Sequence, residues 1–360
     1  MKQVISFVKQ LNRQRNIKTK ELKRRFKLLR ASKNIKDNRN KEIDMSSVSR
    51  ILFPFVDLGI GDAVCHTGIW RELKQAGYTL QIIAEERNRD LFEKMTFIDE
   101  VYIVNLNDIQ SLPMIDTDLV ISHYSWMKRK ELFDVQLLQR VNYQYAINFG
   151  GWLKKPWNKT LPITNDFHIT HPQREILKVL GIASDDLLYS LSVPMKHDSF
   201  ITDYLASYDY EKIVVINPFA SVEERSLSRA QLEKMATLVS EQDNTHVFIV
   251  GEARKLSDLH FDSDRITVCN FNSLWDAIAL IEKADLVISV DTAMVHIACA
   301  LNKKMIGIYY SMLLDHNSDY QGNIIFAPVG ENAHQFIFDK HNNKINVERI
   351  VDKAHTMLNS

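Results

Sequence analysis

The sequence predicts an α/β protein built from two doubly wound units. Apolar β-branched runs alternate with helical stretches along the chain, a second such series begins at Lys212, and 360 residues are more than one core usually holds. A strongly basic arm precedes both units. Residues 1–47 carry 15 Lys and Arg against 4 Asp and Glu, a balance of +11, while the remainder has 30 against 41, a balance of −11.

Within the arm, Leu22, Phe26 and Leu29 fall on one helical face among basic residues, and a polar tether follows. The arm reads as a solvated leader or as an anchor on the anionic inner-membrane surface. No nucleic-acid motif accompanies the charge, so no nucleic-acid partner is expected. A start at Met45 would make the arm dispensable. No apolar run reaches the roughly 18 residues needed to span a bilayer, and Val4–Val8 is too short for a signal-peptide core. The expected location is therefore the cytoplasm, with peripheral attachment at most. Cys65, Cys269 and Cys299 are widely spaced and read as buried free thiols.

The first unit opens with the apolar strand Ile51–Val56, a turn through Gly59-x-Gly61-Asp62, and a helix running to about Ala76. Without a third glycine this is a poor dinucleotide fingerprint. Strands are expected at Thr79–Ala84, Glu100–Val104, Leu119–Ser122 and Tyr143–Phe149, with helices near 88–95 and 129–140. Arg87 and Arg89 lie in a loop at a strand end, where they can meet an anionic ligand or serve as ordinary surface charge. Asp116-Thr-Asp118 precedes a strand and reads as a turn; no cluster has the spacing of a metal site, and none is expected. Residues 150–210, with Trp152, Trp157 and a helix from Gln173 to Leu180, read as the connection between units.

The second unit begins with the strand Lys212–Asn217 and a loop through Ser221 and Arg225 to a helix from Arg229; the strand His246–Val250 ends in Gly251-Glu252. Its most informative stretch runs from the apolar strand before Asp291, through Asp291-Thr292, into a helix of small apolar residues, then the strand Met305–Tyr309. Such a unit aims the amides of 292–295 and a helix dipole at whatever lies beyond the strand, which favours a diphosphate. Alternatively, Asp291 or Thr292 simply caps the helix. Likewise His66 and His296, each one turn into a helix, either face the cleft or belong to the core. After a polar loop at 311–321 carrying Asp315, His316 and Asp319, residues 345–358 form an amphipathic helix.

Gly61-Asp62-Ala-Val-Cys-His66-Thr67 and Asp291-Thr292-Ala293-x-x-His296-x-Ala-x-Ala-Leu301, followed by Ile306-Gly-Ile-Tyr309, resemble the two signatures of glycosyltransferase family 9, the bacterial heptosyltransferases. The resemblance covers most of residues 48–310 and departs from the family pattern at Ala293 and Tyr310, where glycine is usual or frequent. It implies a GT-B fold: two Rossmann-like domains facing a central cleft. Residues 48–200, with the terminal helix 345–360 crossing back, would form the acceptor domain, and 205–344 the donor domain.

It further implies that Asp62 is the catalytic base, with Gly61, His66, Arg87 and Arg89 on the acceptor side. Arg225, standing for the usual Lys, would bind the donor with Ser221, Glu252, Asp291, Thr292, Ala293 and His296. The implied reaction moves heptose from ADP-heptose to a lipopolysaccharide core or related saccharide, inverting, with no metal and no cofactor beyond the donor. A carboxylate near a helix N-terminus is ordinarily held in its charged form and is a weak base, so positioning is expected to matter more than basicity. Two alternatives stay open: another nucleotide sugar as donor, or a catalytically silent nucleotide-sugar-binding protein.

Overall fold

The computed structural model describes residues 2–39, 41–163, 167–184, 187–242, 244–311, 320–338 and 345–360, and only the backbone of 2–11, 13 and 14. Most of the polar loop singled out above, including Asp315, His316 and Asp319, lies outside the described residues.

The strands are β1 (Arg50–Phe55), β2 (Thr79–Ala84), β3 (Glu100–Ile103), β4 (Ile115–Asp116), β5 (Leu119–Ser122), β6 (Val141–Asn142), β7 (Tyr145–Phe149), β8 (Lys159–Leu161), β9 (Lys212–Asn217), β10 (Thr245–Ile249), β11 (Ile266–Val268), β12 (Leu286–Val290), β13 (Met305–Tyr310) and β14 (Ala333–Phe338). The helices are α1 (Lys2–Ala31), α2 (Ile60–Val64), α3 (Thr67–Gln75), α4 (Arg89–Glu93), α5 (Lys128–Leu137), α6 (Thr170–Val179), α7 (Met195–Leu205), α8 (Arg229–Ser240), α9 (Ala253–Leu256), α10 (Leu274–Lys283), α11 (Ala293–Ala300), α12 (Gly322–Ile325) and α13 (Val347–Leu358).

Two six-stranded parallel sheets result, ordered β3-β2-β1-β5-β7-β8 and β11-β10-β9-β12-β13-β14. Counted within each sheet, both orders are 3-2-1-4-5-6. The order reverses between β1 and β5 in one sheet and between β9 and β12 in the other, and a ligand crevice opens at such a reversal, beyond the strands' C-terminal ends.

Side-chain alternation along each strand sorts the core into layers. Ile51, Phe53 and Phe55 of β1 join a cluster that continues through Cys65 and Tyr189 to Val215, Val287, Val295 and Tyr309 of the second half. Leu52 and Val56 instead face an outer cluster with α5, Trp157 and Leu28 of α1. Val214 and Ile216 of β9 face the outer helices α8 and α13.

Several expectations are corrected. The predicted single helix to Ala76 is broken at Cys65 and His66 into α2 and α3. The terminal helix α13 does not cross back: Val347, Ile350, Val351, Ala354 and Leu358 all pack in the second half, and Lys212 and Lys304 donate to the Leu358 and Met357 carbonyls at 3.1 and 2.8 Å. The crossing is made instead by the 150–210 connection, in which α6 lies on α3 and α7 on α10.

From Arg24 onward the arm is packed and not a loose leader. Leu28 is fully buried, Arg24 of α1 forms an ion pair with the buried Glu131 of α5, and Lys155 donates to the Ser32 and Lys33 carbonyls at 2.9 and 3.2 Å, closing the end of α1. Beyond it, the Asn38 side chain donates to the Pro156 carbonyl at 3.2 Å, so the tether is laid along the first domain.

Where the connection passes α3, Thr67 accepts from the Ser190 amide at 2.9 Å, and a Cβ on Gly68 would stand 2.5 Å from the Leu188 carbonyl oxygen. A helical Gly→Ala change ordinarily gains about 1 kcal/mol, but here backbone must move. Overpacking costs typically about 1–3 kcal/mol, so Gly68→Ala should lower the urea midpoint; an unchanged or higher midpoint would show that the connection does not press on α3.

Candidate active site

At the end of β1 the chain leaves the sheet through Val56-Asp57-Leu58. Asp57 takes the left-handed conformation (φ +53), tolerated by Asp better than by most residues. Charged side chains hold this loop from three directions. Glu85 accepts the Asp57 amide at 2.6 Å, Arg87 donates to the Leu58 carbonyl at 3.3 Å, and the buried Lys130 donates to the Val56 carbonyl. Arg129 adds an ion pair with Asp57 at 3.4 Å.

The loop delivers Asp62 into the first turn of α2. One carboxyl oxygen accepts from the Gly59 amide at 2.8 Å and the other from the Tyr124 hydroxyl at 3.3 Å. Burial pushes the Asp62 pKa up, against the pull of Gly59, Tyr124, Arg129 and Lys130. The expected weak base is thus corrected in direction: loss of water outweighs the helix N-terminus.

Tyr124 was not singled out from sequence. It lies two residues beyond β5, the strand beside β1 at the reversal, and only the sheet order brings it to Asp62. β5 itself ends in a buried network, where Ser122 and Ser125 both donate to Asp134, the latter at 3.2 Å.

Across the cleft, Asp291 and Thr292 follow β12. Arg225 donates to Asp291 at 3.0 Å and to Ser221 at 3.2 Å. Burial raises the Asp291 pKa and Arg225 opposes it. Thr292 caps α11, accepting from the Met294 amide at 3.3 Å, and is itself held by Asn217 at 2.8 Å. The Val295 amide turns to the Thr292 carbonyl at 3.2 Å. Two of the four amides expected to face an anion are therefore already engaged, which leaves more of that task to Arg225.

The two ends meet. A Cβ on Gly61 would lie 3.3 Å from Ala293 Cα and 3.2 Å from the His296 ring, so α2 rests directly on α11. Gly61 is accordingly an inter-domain contact, and its φ lies outside the left-handed region. Cys65, one turn beyond Gly61, feels both carboxyls: burial raises its pKa first, and Asp62 and Asp291 each add to the rise.

His66 and His296 are both buried. The Nδ1 of His66 donates to the Asp62 carbonyl at 2.8 Å, and its ring packs on Phe55, Trp70, His123 and Tyr124. Burial lowers its pKa to about 4 and that of His296 to about 3, so both are neutral near pH 7. His296 packs between Tyr189 and Phe326, and its Nδ1 has no hydrogen-bond partner among the described residues.

The remaining candidates lie farther out. Arg89 is engaged by Glu86 and Glu93 on the exposed side of α4. Glu252 occupies the position before α9 without a side-chain capping bond and pairs with Arg254 at 2.7 Å. Asp118 sits at the opposite, N-terminal end of the central strands β1 and β5, where it accepts the Ser49 and Arg50 amides at 2.9 Å, and Asp116 pairs with Asn142 in the short β4–β6 ladder, so the pair is a turn and strand entrance. Among the described residues no three His, Cys, Asp or Glu are grouped to hold a metal.

The model of glycosyltransferase family 9 (heptosyltransferase) matches residues 159–349, more than half of the chain. A protein of Escherichia coli (strain K12) carrying the provisional name lipopolysaccharide heptosyltransferase 4 is 23% identical over 303 residues, covering 80% of this chain and 81% of that one. The solved family 9 glycosyltransferase of Veillonella parvula DSM 2008 superposes with a TM-score of 0.67 at 15% identity, over 86% of this chain and 97% of that one. The E. coli heptosyltransferase WaaC, solved with ADP, gives 0.64 at 14% identity, over 86% and 99%. The fold is GT-B, and the chain belongs to glycosyltransferase family 9, the heptosyltransferase family.

Proposed function

We propose that this glycosyltransferase moves a heptosyl group from ADP-heptose to a hydroxyl of a lipopolysaccharide core or related saccharide, with inversion and without a metal. The observation that carries the reading is the direct contact of α2 with α11, which brings the half-buried Asp62 and the Arg225–Asp291 pair to one cleft. Solved structures of WaaC hold ADP and ADP-2-deoxy-2-fluoro heptose, which supports the donor class.

In this reading the donor diphosphate lies at the first turn of α11. Asp291 alone would repel it; Arg225 neutralises that carboxylate, and a guanidinium with five N–H groups retains donors for phosphate. The acceptor enters beside the Val56–Leu58 loop. Asp62 takes the hydroxyl proton as the oxygen bonds to the anomeric carbon. The bond from that carbon to the diphosphate oxygen breaks, and the diphosphate leaves with the electron pair. Arg225 and the positive end of α11 meet its charge, a preorganised form of electrostatic stabilisation. A base with a raised pKa suits this step better than an ordinary carboxylate would.

Asp62→Asn preserves the acceptor for the Gly59 amide but cannot take a proton. Transfer should fall by about 10²–10⁴-fold while donor affinity, measured by calorimetry, stays near wild type. Loss of donor binding together with transfer would contradict the assignment, and a wild-type chain that binds donors but turns none over would favour the silent binding protein. Arg225→Ala should weaken ADP-sugar binding by roughly 10–100-fold, the scale of a charge-assisted hydrogen bond; unchanged binding would remove Arg225 from the donor site. Because the Tyr124 hydroxyl lowers the Asp62 pKa, Tyr124→Phe should move the acid limb of the kcat profile to higher pH. A limb that stays fixed would mean another group is the base.

A further inference from the structure

The docked arm leaves one face unused. On α1 the face made by Glu21, Arg24, Leu28 and Ala31 meets the first domain, through the fully buried Leu28 and the Arg24–Glu131 ion pair. The opposite face carries Leu22, Phe26 and Leu29, which are 67%, 68% and 54% exposed although they are the larger part of the helix's apolar surface in this region. At helical spacing the three form a continuous outward stripe, with Arg15 and Lys18 along it and Lys23, Arg25 and Arg30 beside it, all exposed. Folding does not cover this stripe.

The platform extends beyond the helix. Arg25 stacks over Trp152 at 5.2 Å from the ring centroid, and Trp152 is 37% exposed in the loop after β7. Glu131 ties the parts together: one oxygen pairs with Arg24, and the other accepts the Trp152 and Leu153 amides at 2.5 and 2.7 Å. Glu131 lies on α5, whose first turn sends Arg129 to Asp57 beside Asp62. The ridge and the acceptor side of the cleft thus belong to one packed unit.

From this we propose that α1 is a membrane-docking ridge: Leu22, Phe26 and Leu29 enter the interface of an anionic bilayer, the surrounding Lys and Arg side chains meet its phosphate headgroups, and the first domain is held against the surface. Charge complementarity selects this occupant. The first 47 residues carry +11 and the rest of the chain −11, so an anionic surface attracts the arm and repels the body. A basic helix with an apolar strip of leucine and phenylalanine is the composition that lies in a headgroup layer, and an amphipathic Trp beside it suits the same depth. Solved relatives are matched over 97% or more of their length by 86% of this chain, so about a seventh of the chain is additional to the common fold. The inference goes beyond the proposed transfer and stands independently of which sugar is moved.

The test is flotation of the full-length protein with vesicles of phosphatidylcholine alone and with vesicles containing phosphatidylglycerol. The expected result is binding to the phosphatidylglycerol vesicles, weakened as salt is raised. Replacing the stripe with Leu22→Gln, Phe26→Gln and Leu29→Gln should lower the partition coefficient by roughly tenfold or more, with circular dichroism unchanged because these side chains are outside the core. Lys23→Glu with Arg30→Glu should abolish the preference for anionic lipid. Equal binding by the stripe variant and the parent, or no binding by the parent, overturns the proposal. So does a parent dimer that the stripe variant converts to monomers without any lipid effect, since the ridge would then be a contact between copies.

Discussion

Gly61 lets two helices from different halves of the chain touch, and the positions of the groups assigned to chemistry follow from that touch. A methyl group there would press on the backbone of Ala293 and the ring of His296. With hydrogen in its place, α2 lies on α11, Cys65 is sealed between them, and the carboxyls of Asp62 and Asp291 act on the same buried thiol. Burial at this junction raises both carboxyl pKa values and lowers those of His66 and His296. Both histidines are buried, while Asp62 and Asp291 stay half-buried and keep a face toward the cleft.

Such a junction needs a stiff frame on the first domain, and buried charge supplies it. Lys130 reaches back to the Val56 carbonyl, Asp134 gathers Ser122 and Ser125, and Glu131 joins the Trp152 loop to α1. These groups share one helix, α5, packed beside the sheet reversal. Burial lowers the Lys130 pKa and raises that of Asp134. Removing one member would leave its partner buried without compensation.

Much of the architecture was legible in the sequence because parallel strands buried on both faces read as continuous apolar runs, as at β1, β9 and β12. Four strands that escaped reading are only two or three residues long, Ile115–Asp116, Val141–Asn142, Lys159–Leu161 and Ile266–Val268, and the fifth, Ala333–Phe338, is mostly half-buried and interrupted by His334 and Gln335. The break at His66 carries no Gly or Pro to announce it. Within the site, Asp62, Arg225, Asp291 and Thr292 sat in readable strand-end motifs, and the structure brings them to one junction. Tyr124 could have been found only by assuming the 3-2-1-4 strand order. On the arm, the sequence displayed the Leu22, Phe26 and Leu29 stripe, but the buried residue is Leu28, chosen by Trp157 and α5 from more than a hundred residues away. The terminal helix followed the family expectation in existence and not in destination, because its apolar face matches α8.

The most direct measurement is a crystal structure of the protein with ADP. The account requires the diphosphate at the first turn of α11, in contact with Arg225, and facing the side of the cleft from which Asp62 projects. A nucleotide seated elsewhere, with residues 291–296 untouched and α2 still closed over them, would contradict it.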